Sequence, residues 1–440
     1  MTEGQLLWKP DEELVEHSSI KAYMNWLAKS DKKFESYDAL WRWSVDNIEE
    51  FWQSVWDYFK VDPHSRHRTA LKSRTMPGAE WFPGAHVNYT GYVFRERLSG
   101  PALIARTEEG EARTLSWEEL ERRVAGLASS LKEFGVKKGD RVAGYLPNGI
   151  EAAASFLASA SIGAVWSCCS PDFGAHSVVD RFGQISPKVL IAADGYPYGG
   201  RWHDRTDVVR SITSSLKSVK KVVIASRGRG VPGRNEVEWD EASSGRARLR
   251  PEPVPSSHPL WILYSSGTTG LPKPIVHSHI GILLEHLKQQ SFHNDIKRGD
   301  RFFWYTTTGW MMWNYLMGSL LRGATAVLYD GGAGYPDMNA LWDVVEDAGV
   351  KFMGISAAYI SACIKSGLRP RDSHGFKKLA GIGSTGSPLS PEGFEWIYST
   401  VKEDIWVASI SGGTDVCTPF VAGCPLLAVY SGEIQCRCLG

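Results

Sequence analysis

From about residue 100 the chain alternates short apolar runs with amphipathic stretches, and that alternation confines it to an α/β fold of layered sheets with flanking helices. "PALIAR" reads as a strand. "SWEELERRVAGLASSLKEFG" predicts a helix opened by a capping box, Ser116 with Glu119, and closed by Gly135. "DRVAGYLP" and "PKVLIAA" predict two further strands. A second α/β run begins at Pro259, where "LWILYSS", "DRFFWYTT", "ATAVLYD", "VKFMGIS", "KKLAGIG" and "DIWVASI" predict buried strands and "PDMNALWDVVEDAG" a helix between them. Residues 226–258 carry glycine, proline and charge without a sustained period, which predicts a surface excursion. There is no internal repeat and no low-complexity tract.

The beginning of the chain has a different texture. "DALWRWSVDNIEEFWQSVWDYFK" sets Trp41, Ile48, Trp52, Val55 and Phe59 at near-helical spacing, predicting an aromatic-rich helical cap over residues 1–95 packed on a body of residues 96–440. The stretch "MTEGQLLWKPDEELVEHSS" is acidic and lacks an apolar centre, so neither a secretory nor a mitochondrial signal is expected and the cytosol is the default. Ala152 to Cys169 is uncharged and long enough to raise a membrane span. Its alanine, serine and glycine content instead predicts a buried helix through Ile162 and then a buried strand, "AVWSCC".

Forty-nine basic residues balance forty-nine acidic ones, so no overall field points to nucleic acid or to an anionic membrane, and a phosphate ligand has to be caught locally. The seven cysteines (Cys168, Cys169, Cys363, Cys417, Cys424, Cys436, Cys438) are odd in number and scattered, which predicts reduced, mostly buried thiols. His277 and His279 stand two apart, but no acidic or cysteine partners cluster with them in sequence, so a metal site is not expected there. Nothing in the sequence sets an oligomeric state.

A local anion trap is present in "YSSGTTGLPKP", Tyr264 to Pro274. An apolar strand runs into glycines that let backbone N–H groups turn inward, hydroxyls that donate hydrogen bonds, and one lysine. The spacing departs from the common phosphate loop, since Lys273 follows Gly270 by three positions and no Ser or Thr follows it. Nucleotide phosphate binding is the expectation, with a flexible polar turn as its alternative.

Extended to "YSSGTTGLPKPIVHSH", this motif resembles the phosphate loop of the adenylate-forming enzymes, which include acyl-CoA synthetases and firefly luciferase. Other segments follow in the family's order: "GIGSTGSPLSPEGFEWI" is similar to its adenine-binding stretch, "ASISGGTD" to its Thr-Glu magnesium motif, and "SGEIQCRCLG" to the Gly-Glu strand beyond. "WFPGAHVNYTGYVF", "DRFFWYTTTGWMMWNYLMGSLLRGATAVLYDG" and the aromatic N-terminal segment look most like the branch that activates acetoacetate. The resemblance implies the family's large N-terminal domain and an AMP-forming acid:CoA ligase that takes acetoacetate, ATP, coenzyme A and Mg2+.

It also implies roles. Ser265, Ser266, Gly267, Thr268, Thr269, Gly270 and Lys273 would hold the β- and γ-phosphates, Lys273 serving catalysis as well. Gly412 and Gly413 would lie beside the nucleotide, Thr414 would donate to the α-phosphate, and Asp415 would ligate magnesium. The family more often has Glu at that last position, so Asp shortens the reach by a methylene. Gly386, Ser387 and Pro388 would lie along the adenine, with Ser390 and Pro391 capping the next helix. Arg201, in "YPYGGR", matches an arginine placed on the nucleotide end of coenzyme A. Trp310, Met311 and Met312 would wall the acyl pocket. Gly412 stands where acetate-specific relatives carry tryptophan, which predicts added room for a longer acid. The family's ribose-holding aspartate, hinge and C-terminal lid domain have no counterpart in the sequence, so the alternatives are a truncated, nucleotide-binding chain without full turnover and a ligase for another short acyl or keto acid.

Overall fold

The computed structural model describes residues 2–61, 66–226, 235–245, 247–265 and 270–440. Two seven-stranded sheets dominate it, and both are built in the same way. The first runs, edge to edge, Glu236–Glu238, Lys221–Ala225, Val189–Ala193, Arg141–Tyr145, Val165–Cys169, Pro259–Ser265 and Lys273–Ser278. The second runs Trp406–Ser409, Gly381–Thr385, Phe352–Ser356, Arg301–Trp304, Thr325–Asp330, Pro101–Thr107 and Ala112–Ser116. In each, six strands are parallel and an antiparallel strand closes one edge. Strands covered on both faces have to be apolar throughout, and Val189–Ala193 is buried at all of its positions.

The helices between strands follow local chemistry. Trp117–Glu133 starts with the capping box: the Ser116 hydroxyl accepts from Glu119 N–H while the Glu119 carboxylate accepts from Ser116 N–H, and Gly135 takes the left-handed turn that ends it. Ile150–Ser161 is buried along its whole length. Its alanines and serines let neighbours approach closely, and Phe156 packs on Trp261 from one sheet and on Trp313 beside the other. The uncharged run through Cys169 is thus this helix followed by the strand Val165–Cys169. No helix among the described residues is long and apolar enough to cross a membrane. The cysteines are all free, five of them buried.

One reading of the sequence needs revision. The region 226–258 is not wholly an excursion, because Glu236–Glu238 extends the first sheet in parallel with Lys221–Ala225 and Trp239 is buried. The aromatic N-terminal run is helical, as two helices, Tyr37–Asp46 and Ile48–Phe59, parted at Asn47. The N-terminal region packs closely on the rest of the chain. Leu6–Trp8 pairs with Val429–Tyr430, the Trp8 indole donates to Asp404 at 2.8 Å, and Tyr23 stacks on Phe292 at 4.5 Å, so one hydrophobic core runs through both regions.

Candidate active site

A cavity of about 540 Å3 opens at the carboxyl ends of Gly381–Thr385 and Trp406–Ser409 in the second sheet. Parallel sheets present ligands there because the loops leaving adjacent strands diverge. Thr385 leads into Gly386, whose φ of +91° turns the chain along the cavity wall, followed by Ser387 and Pro388. The helix Pro391–Thr400 then begins under the Ser390 cap, its hydroxyl accepting from Gly393 N–H. From the neighbouring strand, Ser409 and Ile410 lead into a small antiparallel sheet, Ser411–Gly413 against Thr418–Ala422, and Gly412, Gly413 and Thr414 form the opposite wall. Trp310, Met311 and Met312, at the start of the helix Met311–Met317, make a third side.

Three stretches far apart in sequence, taken separately from their motifs, thus meet around one space. The sequence reading missed Thr385, Ser409, Ile410, Thr418, Pro419 and Ile434, which also line it. Those on the strand ends could have been found from the strands themselves. Ile434 carried only the Gly-Glu segment as a signal.

Other expected residues lie elsewhere. Ser265 and Lys273 face each other across the last rung of the hairpin at the edge of the first sheet, and Gly270 lies in the turn between them. None of the three lines the cavity. Ser266, Gly267, Thr268 and Thr269 fall outside the described residues. Asp415 is exposed just past Thr414 and is not part of the cavity wall. Arg201 begins a strand paired with Gly195–Tyr198, also away from this cavity. That hairpin is held by Glu108, whose carboxylate accepts the N–H groups of Gly199 at 2.9 Å, Gly200 at 2.7 Å and Gly332 at 2.9 Å.

Gly412 has a different reason from the one its position suggested. A Cβ on it would stand 2.3 Å from the carbonyl oxygen of Thr418 and 2.6 Å from Pro419 Cα. The missing side chain therefore points at the backbone of the paired strand, not into open space. Glycine is needed here for close strand pairing, and the steric explanation for a roomier acyl pocket fails.

The Thr414–Asp415 turn is tied to the first sheet through His277. This ring is buried between two partners: the Trp261 indole N–H donates to Nδ1 at 3.0 Å, and Nε2 lies 2.9 Å from the Asp415 carbonyl oxygen. Burial lowers its pKa below the ordinary histidine value, against the opposing pull of the Asp415 and Thr414 carbonyls. Among the described residues no three His, Cys, Asp or Glu side chains gather to hold a metal ion. Asp415, as a lone exposed carboxylate, still suits Mg2+, which commonly takes one or two carboxylates and completes its shell with water and substrate phosphates.

Comparison with known proteins agrees with this layout. Residues 94–429 match the AMP-binding enzyme family, and residues 37–91 match the acetyl-coenzyme A synthetase N-terminus. An acetoacetyl-coenzyme A synthetase of Rhizobium meliloti (strain 1021) is 43% identical over 99% of this chain and 68% of its own length. An acetoacetyl-CoA synthetase of Gallus gallus is 37% identical over 100% of this chain and 68% of its own. The solved structure of acetoacetyl-CoA synthetase from Streptomyces lividans superposes with a TM-score of 0.96 at 45% identity, covering 99% of this chain and 69% of that one. With its two sheets, its cavity at the strand ends and most of its length matched in this way, the chain belongs to the AMP-binding enzyme family, the adenylate-forming enzymes.

Proposed function

We propose that the chain is an AMP-forming acid:CoA ligase that activates acetoacetate. The observation that carries this reading is the cavity joining Gly386–Pro388, Gly412–Thr414 and Trp310–Met312, which would serve as an adenine wall, a phosphate-facing turn and an acyl wall in one space. Its volume lies within the range of small-molecule sites. Extensive identity with acetoacetyl-CoA synthetases supports the choice of acid.

In the first step a carboxylate oxygen of acetoacetate attacks the α-phosphorus of ATP, and the bond to the bridging oxygen breaks to release pyrophosphate. In the second, the thiol of coenzyme A loses its proton and attacks the acyl carbon, and AMP leaves with the electrons of the cleaved C–O bond. The Thr414 hydroxyl would donate to the α-phosphate oxygens as charge builds on them. Ser265, Lys273 and the hydroxyls of Ser266, Thr268 and Thr269 would hold the leaving pyrophosphate. Asp415 would hold magnesium, which when bound with the nucleotide neutralises charge on the phosphates. Trp310 and Met312 would exclude water from the acid, and Arg201 would meet the nucleotide end of coenzyme A. The cytosol is the proposed compartment, since reduced thiols persist there.

Acetoacetate-dependent exchange of labelled pyrophosphate into ATP tests the first step on this chain. Exchange with acetoacetate well above that with acetate is expected. Exchange independent of any added acid, or absent despite tight ATP binding, would overturn the reading.

A further inference from the structure

The turn carrying Thr414 and Asp415 has little to hold it from within. Besides the pairing of Gly413 with Thr418 at its base, a backbone bond from Cys417 N–H to the Gly413 carbonyl closes it at 3.0 Å. Side chains from the second strand of the phosphate hairpin and from the helix His279–Lys288 after it add further support. His277 Nε2 is 2.9 Å from the Asp415 carbonyl, His286 Nε2 is 3.2 Å from the Cys417 carbonyl, and the Glu285 carboxylate accepts the Thr418 hydroxyl at 3.1 Å.

His277 is distinguished among these by having both ring nitrogens engaged. A carbonyl oxygen only accepts, so Nε2 carries the proton and donates to Asp415. An indole N–H only donates, so Nδ1 is the lone-pair nitrogen that accepts from Trp261. The partners thus fix the tautomer and hold the ring plane, with Trp261 fully buried behind it. Strand alternation adds a second relationship. In Lys273–Ser278, residues 273, 275 and 277 share one face, and the outward face carries exposed Val276. Lys273 therefore leaves the strand on the side from which His277 grips the turn.

We propose that His277 is a positioning residue, which sets the Thr414–Asp415 turn in register with Lys273 and the phosphate hairpin so that the two grip one magnesium nucleotide. This inference rests on the nucleotide reading given above. A ring that only filled space would stabilise the fold without affecting how magnesium and nucleotide cooperate.

The test is calorimetric titration of the chain with ATP, in magnesium and in EDTA, alongside thermal unfolding. His277→Phe keeps the ring and loses both hydrogen bonds. It should lower affinity for MgATP roughly 10- to 100-fold, the usual scale for removing a partner that orients a metal ligand, and lower metal-free ATP affinity much less. His277→Gln, whose amide can still donate to the Asp415 carbonyl, should recover most of the magnesium effect. Trp261→Phe, which leaves His277 in place but frees its tautomer, should fall between them and serves if His277→Phe does not fold. Failure of the unaltered chain to bind ATP would overturn the nucleotide reading and this inference with it. Normal ATP binding by the unaltered chain, with variants that lose thermal stability but retain the same magnesium enhancement, would overturn this inference alone.

Discussion

Trp313 donates its indole N–H to Asn148 Oδ1 across 3.1 Å, joining a helix beside the second sheet to the loop that leaves the first. The same amide donates to the carbonyls of Thr306 at 3.2 Å, in the loop after the strand Arg301–Trp304, and of Tyr329 at 3.3 Å, near the carboxyl end of the strand Thr325–Asp330. One buried side chain thereby satisfies three groups that water cannot reach.

Asn148→Ala should therefore destabilise the fold by about 2–4 kcal/mol, because it strands the indole N–H and two carbonyls in a dry interior. Urea unfolding measures this. A loss under about 1 kcal/mol would mean that water enters the gap and replaces the amide.

Gly412→Ala should cost about 1–3 kcal/mol through the collision of its Cβ with the Thr418–Pro419 backbone. Acetate and acetoacetate should lose exchange activity together, since the damage is to the turn rather than to acyl room. A selective change in favour of acetate would restore the pocket-size explanation.

Lys273→Ala and Trp310→Ala should separate the two ends of the site. On the proposed reading the first would remove a charge-assisted hydrogen bond to phosphate of about 1.5–3 kcal/mol and should weaken ATP binding without changing the preference among acids. The second should lower kcat/KM for acetoacetate by roughly 10- to 100-fold, as expected for about 1.5–3 kcal/mol of lost apolar contact, while ATP affinity stays near its original value. Steady-state kinetics with each substrate varied in turn distinguishes them. A Trp310 variant that loses only ATP affinity would move the acyl wall elsewhere.

Acid should weaken the protein as soon as histidines begin to titrate in the unfolded chain. His279 and His286 are fully buried, and desolvation pulls both from the ordinary 6.5 down to about 3. Their neutral forms are favoured in the fold, so the unfolded state takes up more protons below pH 6.5. The stability they contribute is complete above that pH and is lost steadily as pH falls towards 3, at about 1.4 kcal/mol per pH unit for each ring. His67 and His277, also lowered by burial, act in the same direction. Melting temperature measured from pH 7.5 to 5 should fall along this course, and His286→Gln should flatten it. An unchanged slope in that variant would remove His286 from the account.

The parallel strands were legible because double burial imposes unbroken apolar runs, as in Val189–Ala193. The capping residues Ser116 and Ser390 were legible because their hydrogen bonds are local. Glu236–Glu238 was not: three residues are too few to show a period, and pairing with Lys221–Ala225 alone makes them a strand. The site divides in the same way. Its motifs mark Gly386, Thr414 and Trp310 individually, but nothing local predicts that His277 reaches a carbonyl 138 positions away, or that Gly412 faces Thr418.

The buried helix Ile150–Ser161 has a consequence for the site that it never touches. Built mainly of alanine and serine and packed between Trp261 and Trp313 through Phe156, it acts as a spacer between them. On one side of it lies the hairpin that would take the phosphates; on the other lies the wall that would take the acid. A ligand bound at both ends works as a caliper on that spacing, so enlarging Ala153 or Ala154 by a few methylenes should be felt first as a misfit between the two ends of ATP and acid, in a protein that still folds.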